Sequence, residues 1–294
     1  MRKPGIFLSI LAVMVFIGGL AAILLFHESS SRKSFDGERA YQDVLTQLDF
    51  GPRTLGSEAH AQALNWMQRE LRRAGWKTEI QTAERMGHPV QNLVATRGTE
   101  PAQIILGAHY DSRLVADRDS GPGSNAAVPG ANDGASGVAV LLELARTLPR
   151  DTVPVELLFI DAEDNGNLPG WDWLLGSRAY VESLTSLPRA VVIVDMIGDA
   201  DLNIYKERNS DPALTESIWS QAELLGYQQY FLPDAKFSML DDHTPFLEVG
   251  IPAVDIIDFD YPYYHTGADT ADKVSARSLE VVGKTLWAWI VAQE

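Results

Sequence analysis

The hydrophobic pattern opens with a single block. From Gly5 to Phe26, 22 consecutive residues carry no charge and are rich in Leu, Ile, Val, Ala and Phe. As a helix rising 1.5 Å per residue, the run is about 33 Å long, enough to cross the hydrocarbon core of a bilayer. A cleaved signal peptide usually has a shorter apolar stretch, about 7–15 residues, followed by a small-x-small site. Here the run continues into Phe26-His27-Glu28 with no such site. Residues 5–26 are therefore expected to form one uncleaved N-terminal transmembrane helix, a signal anchor. Arg2 and Lys3 favour a cytoplasmic tail of residues 1–4, against a weaker opposing bias from Arg32 and Lys33. The remainder is then expected outside the cytoplasm. Residues 27–36, with Ser29-Ser30-Ser31, read as a polar linker. Residues 37–294 have a length compatible with one domain.

Beyond the linker the periodicity alternates. Ala61–Ala74 places Leu64, Met67 and Leu71 on one face with charges opposite, a helical spacing that Gly75 ends. Short β-like runs follow at Trp76–Gln81, Gln91–Thr96 and Gln103–Ala108. A loop rich in Gly, Pro, Ser, Asn and Asp covers Ser112–Asn132. A helix over Val138–Leu148 opens on Asp133-Gly134-Ala135-Ser136-Gly137. Val153–Asp161, Ala190–Asp195 and Ile251–Ile257 are apolar runs of the kind buried on both faces of a parallel sheet. Leu214–Leu225 and Leu279–Val291 read as amphipathic helices. The alternation predicts an α/β fold, a three-layer α/β/α sandwich around a mixed, mostly parallel central sheet. Ligands in such sheets bind beyond the carboxyl ends of the strands. His109, Asp161–Asp164 and Asp195 stand at those ends.

Charge and composition narrow the chemistry. Without Arg2 and Lys3 the chain carries 22 basic against 40 acidic side chains, a balance that argues against nucleic acid as partner, since phosphate binding needs a cationic face. With no cysteine there is no disulfide, zinc finger or thiol nucleophile, and any zinc must be held by His, Asp and Glu. Three of the six histidines lie beside acids at element junctions: His109-Tyr110-Asp111, Asp241-Asp242-His243 and His265-Thr266-Gly267-Ala268-Asp269.

Eight stretches in order carry a family resemblance: Phe50-Gly51-Pro52-Arg53 with Gly56-Ser57; Ala108-His109-Tyr110-Asp111-Ser112; Gly130-Ala131-Asn132-Asp133-Gly134-Ala135-Ser136-Gly137; Phe159-Ile160-Asp161-Ala162-Glu163-Asp164; Gly176-Ser177-Arg178; Val194-Asp195-Met196-Ile197-Gly198; Asp241-Asp242-His243-Thr244-Pro245-Phe246; and Tyr264-His265-Thr266. From about Arg39 onward the chain resembles the M28 zinc peptidases, and among them the glutaminyl cyclases (glutaminyl-peptide cyclotransferases). The resemblance implies that residues 37–294 are an M28-like zinc catalytic domain with five metal-ligand positions, His109, Asp133, Asp164, Asp195 and His265. In the peptidases these hold two zinc ions, bridged at the position of Asp133. In animal cyclases one zinc is bound at the positions of Asp133, Asp164 and His265. Asp164 replaces the commoner Glu and shortens that arm by one methylene.

Glu163 matches the family's general acid/base, and a carboxylate beside a metal ligand at a strand end has the reach for that work. Asp111 is expected behind the site, orienting an imidazole. Asp241 is the cyclase-like residue of its segment, where peptidases often have Ser-Asp. His243 matches no ligand position and reads as a structural histidine. Ser136 lacks the Gly-x-Ser-x-Gly elbow of a serine nucleophile. The glycines beside it lack a phosphate-loop ending and instead suit close helix–sheet packing. Trp171, Trp173, Phe237, Tyr261, Tyr263 and Tyr264 are candidates for a substrate pocket or for core filling.

Three functions follow from the resemblance. The first is a zinc-dependent glutaminyl cyclase acting on peptides with a free N-terminal Gln, using one zinc. The second is a two-zinc aminopeptidase, and the third a non-catalytic membrane-anchored ectodomain. Secreted animal cyclases carry a disulfide, so the absence of cysteine points to a bacterial source.

Overall fold

The computed structural model describes residues 34–121 and 124–293. The expected anchor and the linker as far as residue 33 lie outside these. Among the described residues no helix is long and apolar enough to cross a membrane.

The β-like runs extend to their turn residues and become β1 (Lys77–Arg85), β2 (His88–Thr96) and β3 (Ile104–His109). They are joined in one sheet by β4 (Val155–Ile160), β5 (Ala190–Asp195) and β8 (Ala253–Ile257), in the order β1-β2-β4-β3-β5-β8. β4, β3, β5 and β8 run parallel, while β2 is antiparallel to both β1 and β4. The sheet is thus mixed and mostly parallel, as expected.

Its central strands are apolar along their whole length because both faces are covered. On β3, Ile104, Leu106 and Ala108 point into the larger core, and Ile105 into the smaller one. The same alternation places Val192 and Val194 of β5 on the first face and Val191 and Ile193 on the second. The larger core takes buried residues from α1 (Gly37–Asp49), α2 (Glu58–Arg73), α3 (Ala135–Thr147), α5 (Pro212–Leu224) and α7 (Ala276–Val291). The smaller takes Tyr180 of α4 (Leu175–Ser183) and Phe246 of α6 (Thr244–Glu248). A separate parallel pair, β6 (Ile204–Lys206) and β7 (Phe231–Ala235), completes the fold.

Two differences from the expected pattern concern the edges. α1 has a polar surface and few large apolar residues, and Asp36 caps it by accepting the Arg39 N–H at 3.1 Å. Phe35, at the end of the expected linker, is buried in the larger core, so the folded unit begins before residue 37. Gly137 fulfils the packing role expected of its segment. A Cβ there would stand 2.6 Å from the Val194 carbonyl oxygen, so glycine lets α3 lie directly on β5.

Candidate metal and catalytic site

β3, β4 and β5 run in the same direction and end in the same plane. His109 is the last residue of β3, and Asp195 the last of β5. Asp161–Asp164 continue from β4. Asp133 sits on the turn before α3, and His265 on the loop after β8.

These pieces converge. His109 Nε2 lies 3.2 Å from Asp133 Oδ1 and 3.1 Å from Asp195 Oδ1. His265 Nε2 lies 2.8 Å from Asp164 Oδ1 and 3.8 Å from Asp133 Oδ2. Two clusters result, His109–Asp133–Asp195 and Asp133–Asp164–His265, each compact enough for one ion, with Asp133 common to both. Asp164 Oδ2 and His109 Nδ1 are buried without hydrogen-bond partners. Imidazole and carboxylate together are the donor set that zinc takes in cysteine-free proteins, so the residues fit such an ion.

The strand ends are held in uncommon backbone conformations. Ala162, just before Glu163, has φ 54°; Met196, just after Asp195, has φ 48°; His265 itself has φ 59°. Left-handed conformations cost non-glycine residues about 1–3 kcal/mol and persist where surrounding structure enforces them.

The supporting carboxylates provide that enforcement. Asp111 accepts the backbone N–H groups of Glu163 at 3.1 Å and Asp164 at 3.3 Å, with His109 Nδ1 3.6 Å away. Asp269 accepts the N–H groups of Asn132 at 2.9 Å and Asp133 at 3.1 Å, and the Tyr261 hydroxyl at 2.5 Å. The fully buried Arg53 donates to the carbonyls of Tyr110, Pro129 and Gly130, tying the loop before Asp133 to the end of β3. Asp269 was visible in sequence only as a neighbour of His265. No local spacing marks it as the support of Asp133, 136 residues earlier.

Electrostatics follow from burial and mutual repulsion. Burial, then Asp164, raise the Glu163 carboxyl well above the usual range, and Asp241 and Asp242 add to the effect. Burial and Asp133 push Asp164 up to about 6, and burial pushes Asp195 up to about 7 against the opposing pull of His109. Burial also disfavours the His109 imidazolium, but Asp111, Asp133 and Asp195 outweigh it and raise this group well above its ordinary value. Asp133 is driven the other way. Burial opposes its charge, yet His109 and His265 hold it below the usual range.

A cleft of about 370 Å³ opens over these residues. Glu163, Asp164, Asp195 and Asp241 line one part of it, and Trp173, Tyr264, Phe259, Met239 and Leu240 another. Trp173 lies nearly parallel to the His265 ring, centroids 6.0 Å apart, and this position requires Gly166, whose Cβ would meet the indole at 2.0 Å. Of the six candidate aromatics, Trp173 and Tyr264 line the cleft. Trp171 stacks on His88, Phe237 packs edge-on against Phe259, and Tyr261 is core with Tyr263 against it. Asp161 turns away from the site: it accepts the Gln91 N–H at 2.7 Å and lies 2.7 Å from His60 Nε2. His243 joins neither cluster, in keeping with its lack of a ligand match.

The sequence signature of peptidase family M28 matches residues 92–290. The bovine (Bos taurus) glutaminyl-peptide cyclotransferase-like protein is 27% identical over 260 residues, 74% of this chain and 66% of that protein, so the chain spans just under two thirds of that relative's length. The crystal structure of Tannerella forsythia glutaminyl cyclase superposes with a TM-score of 0.82 at 31% identity, over 89% of this chain and all of the other. A Zn-dependent exopeptidase from Parabacteroides distasonis superposes with a TM-score of 0.83 at 28% identity, over 89% of this chain and all of the other. With the signature covering more than half of the sequence, the chain belongs to peptidase family M28.

Proposed function

We propose that the protein is a zinc-dependent glutaminyl-peptide cyclotransferase, converting the N-terminal Gln of a peptide to pyroglutamate and releasing ammonia. Asp133, Asp164 and His265 would hold the zinc, which supplies Lewis acidity toward the side-chain amide carbonyl when bound. His109 and Asp195 would then hydrogen-bond to each other beside it. The observation that carries this reading is Glu163, a carboxylate raised by burial and sharing the cleft with Asp241, a second buried carboxylate that no Lys or Arg pairs with among the described residues. Such a pair passes a proton readily, because one carboxyl holds it while the other stays ionised.

In the reaction the α-amine nitrogen attacks the side-chain amide carbon and the lactam C–N bond forms. Glu163 takes one proton from that amine. It returns the proton to the departing nitrogen as the original C–N bond breaks, so the amide NH2 leaves as ammonia. Asp241 steers the transfer by hydrogen bonding with Glu163. Trp173 and Tyr264 shield the reacting groups from water, and the cleft opens outward for the rest of the peptide.

The two-zinc aminopeptidase reading is favoured by one feature, the completeness of both clusters around Asp133. Zinc bound at the two clusters around Asp133, counted as the zinc lost in Asp133→Asn/His265→Asn, together with turnover of Gln- and Leu-aminoacyl amides, separates the two. One such zinc with Gln turnover supports the cyclase, and two with Leu hydrolysis support the peptidase. The same reading keeps residues 5–26 as the anchor of an extracytoplasmic catalytic domain, supported by the length and purity of that run.

A further inference from the structure

Behind Asp241, on the side of the sheet covered by α6, lies a second group of buried polar side chains that the reaction does not use. His243 follows Asp241 by two residues, and Asp255 projects from the middle of β8, level with Ile193 of β5. Both are fully buried, and neither nitrogen of His243 nor either carboxylate oxygen of Asp255 has a hydrogen-bond partner. Asp242, also buried, leaves both its oxygens unpartnered. No Lys or Arg pairs with Glu207, Asp241, Asp242 or Asp255 among the described residues. The basic side chain within the group is His243, with Nε2 3.3 Å from Glu207 and Nδ1 4.0 Å from Asp255. Buried charge concentrated in this way is ordinarily paired or bound to a metal.

Glu207 differs from the other three. Its oxygens accept the N–H groups of Met239 at 2.8 Å, Asn209 at 2.9 Å and Ser210 at 2.7 Å, and the Ser210 hydroxyl at 2.9 Å. A carboxylate fixed by four donors stands 3.3 Å from Nε2, close enough to take its N–H once an ion holds the ring through Nδ1, which faces Asp255. A carboxylate so placed can position a metal-binding histidine. One ligand atom each from Asp241, His243 and Asp255 lies within 4.8 Å of the others.

We propose that Asp241, His243 and Asp255 form a further cation site, separate from the clusters around Asp133, that takes a divalent ion of the zinc class with Glu207 orienting the imidazole. One nitrogen and carboxylate oxygens are donors that such ions accept. The donor atoms draw closer on binding, since the edge of a tetrahedral zinc site is only about 3.3 Å. The ion neutralises the buried carboxylates and keeps Asp241 ionised from behind. The site stands whichever reaction the cleft performs.

The test uses the full chain, equilibrated with Zn2+, dialysed and assayed for bound metal, with circular dichroism as the check of folding. In Asp133→Asn/His265→Asn, which disables both clusters at the cleft, one zinc per chain is expected to remain, and Co2+ in its place should give visible absorption. Adding Asp255→Asn should remove that ion. Asp255→Asn or His243→Gln alone should lower the wild-type count by one. A folded Asp133→Asn/His265→Asn chain that binds no metal overturns the proposal, as does an unchanged count in folded Asp255→Asn. If either variant does not fold, the other decides alone.

Discussion

Asp111 holds Glu163 by its backbone: the Asp111 Oδ1 accepts the Glu163 N–H at 3.1 Å, at the turn where Ala162 adopts a left-handed conformation. One carboxylate thereby fixes the proposed base, its neighbour Asp164 and the His109 ring together. Asp111→Asn presents an amide NH2 where two N–H groups need an acceptor. We expect metal affinity to fall roughly 10- to 100-fold and turnover with it. Equilibrium zinc titration checks this, and unchanged affinity would show that Asp111 is only packing.

Glu163→Gln removes the proton carrier while preserving shape. It should lower kcat by about 10²–10⁴-fold and leave zinc content intact. Loss of metal in this variant would count against the assignment.

In the chelated protein the Glu163 carboxyl should titrate above the ordinary carboxylate range. Burial, then Asp164, disfavour the carboxylate, so the ionised form emerges only at higher pH. Asp241→Asn removes one of the repelling charges and should move that titration downward, as read by carboxylate infrared absorption. A titration unmoved by this change would contradict the coupling of the two carboxyls.

Stability of the chelated protein should depend on pH in the direction opposite to that of an ordinary acid-sensitive protein. Burial raises Asp164 to about 6, and Asp195, Asp258 and Asp269 to about 7. Each folded-state value exceeds the unfolded one, about 3.9, so the folded state binds these protons more tightly. The contribution is full below the unfolded value and is lost as pH rises through the folded one. Melting should therefore occur at a higher temperature near about pH 5 than near about pH 8. Scanning calorimetry with and without chelator reads this directly, and the reverse order would contradict it.

Arg53 is a structural staple. Its charge is costly to bury, and burial lowers its pKa to about 10 despite Asp269, Asp111 and Asp133 nearby. Arg53→Met leaves three carbonyls, two of them buried, without their donor and should destabilise the fold by about 3–5 kcal/mol. Chemical denaturation checks the magnitude.

The central strands were legible because burial on both faces forces continuous apolar runs, and the segments with helical periodicity became helices. α1 was not, because two of its five buried residues, Asp43 and Gln47, are polar, and its larger apolar side chains, Tyr41 and Leu48, are only partly buried. His109, Asp195, Glu163 and Asp164 stand at strand ends or just beyond them, where apolar runs ending in His or acids can be read locally. The ligand set as a whole, with Asp133 before α3 and His265 on the loop after β8, was legible through the family resemblance. Asp269 and Asp255 carried neither signal. What makes each matter is a partner distant in the chain, Asp133 for one and His243 for the other, and no periodicity encodes that meeting. The aromatics divided for a similar reason: Trp173 reaches the cleft because Gly166 makes room, whereas Trp171, two residues earlier, stacks outside on His88.

The most direct test is turnover of a Gln-initiated peptide before chelation, after zinc removal, and after zinc is restored. The account predicts pyroglutamate and one ammonia per turnover at the start, loss of both on removal, and recovery of both on restoration. Product formation that is indifferent to zinc, or a restored enzyme that releases free glutamine from the peptide instead of ammonia, would contradict it.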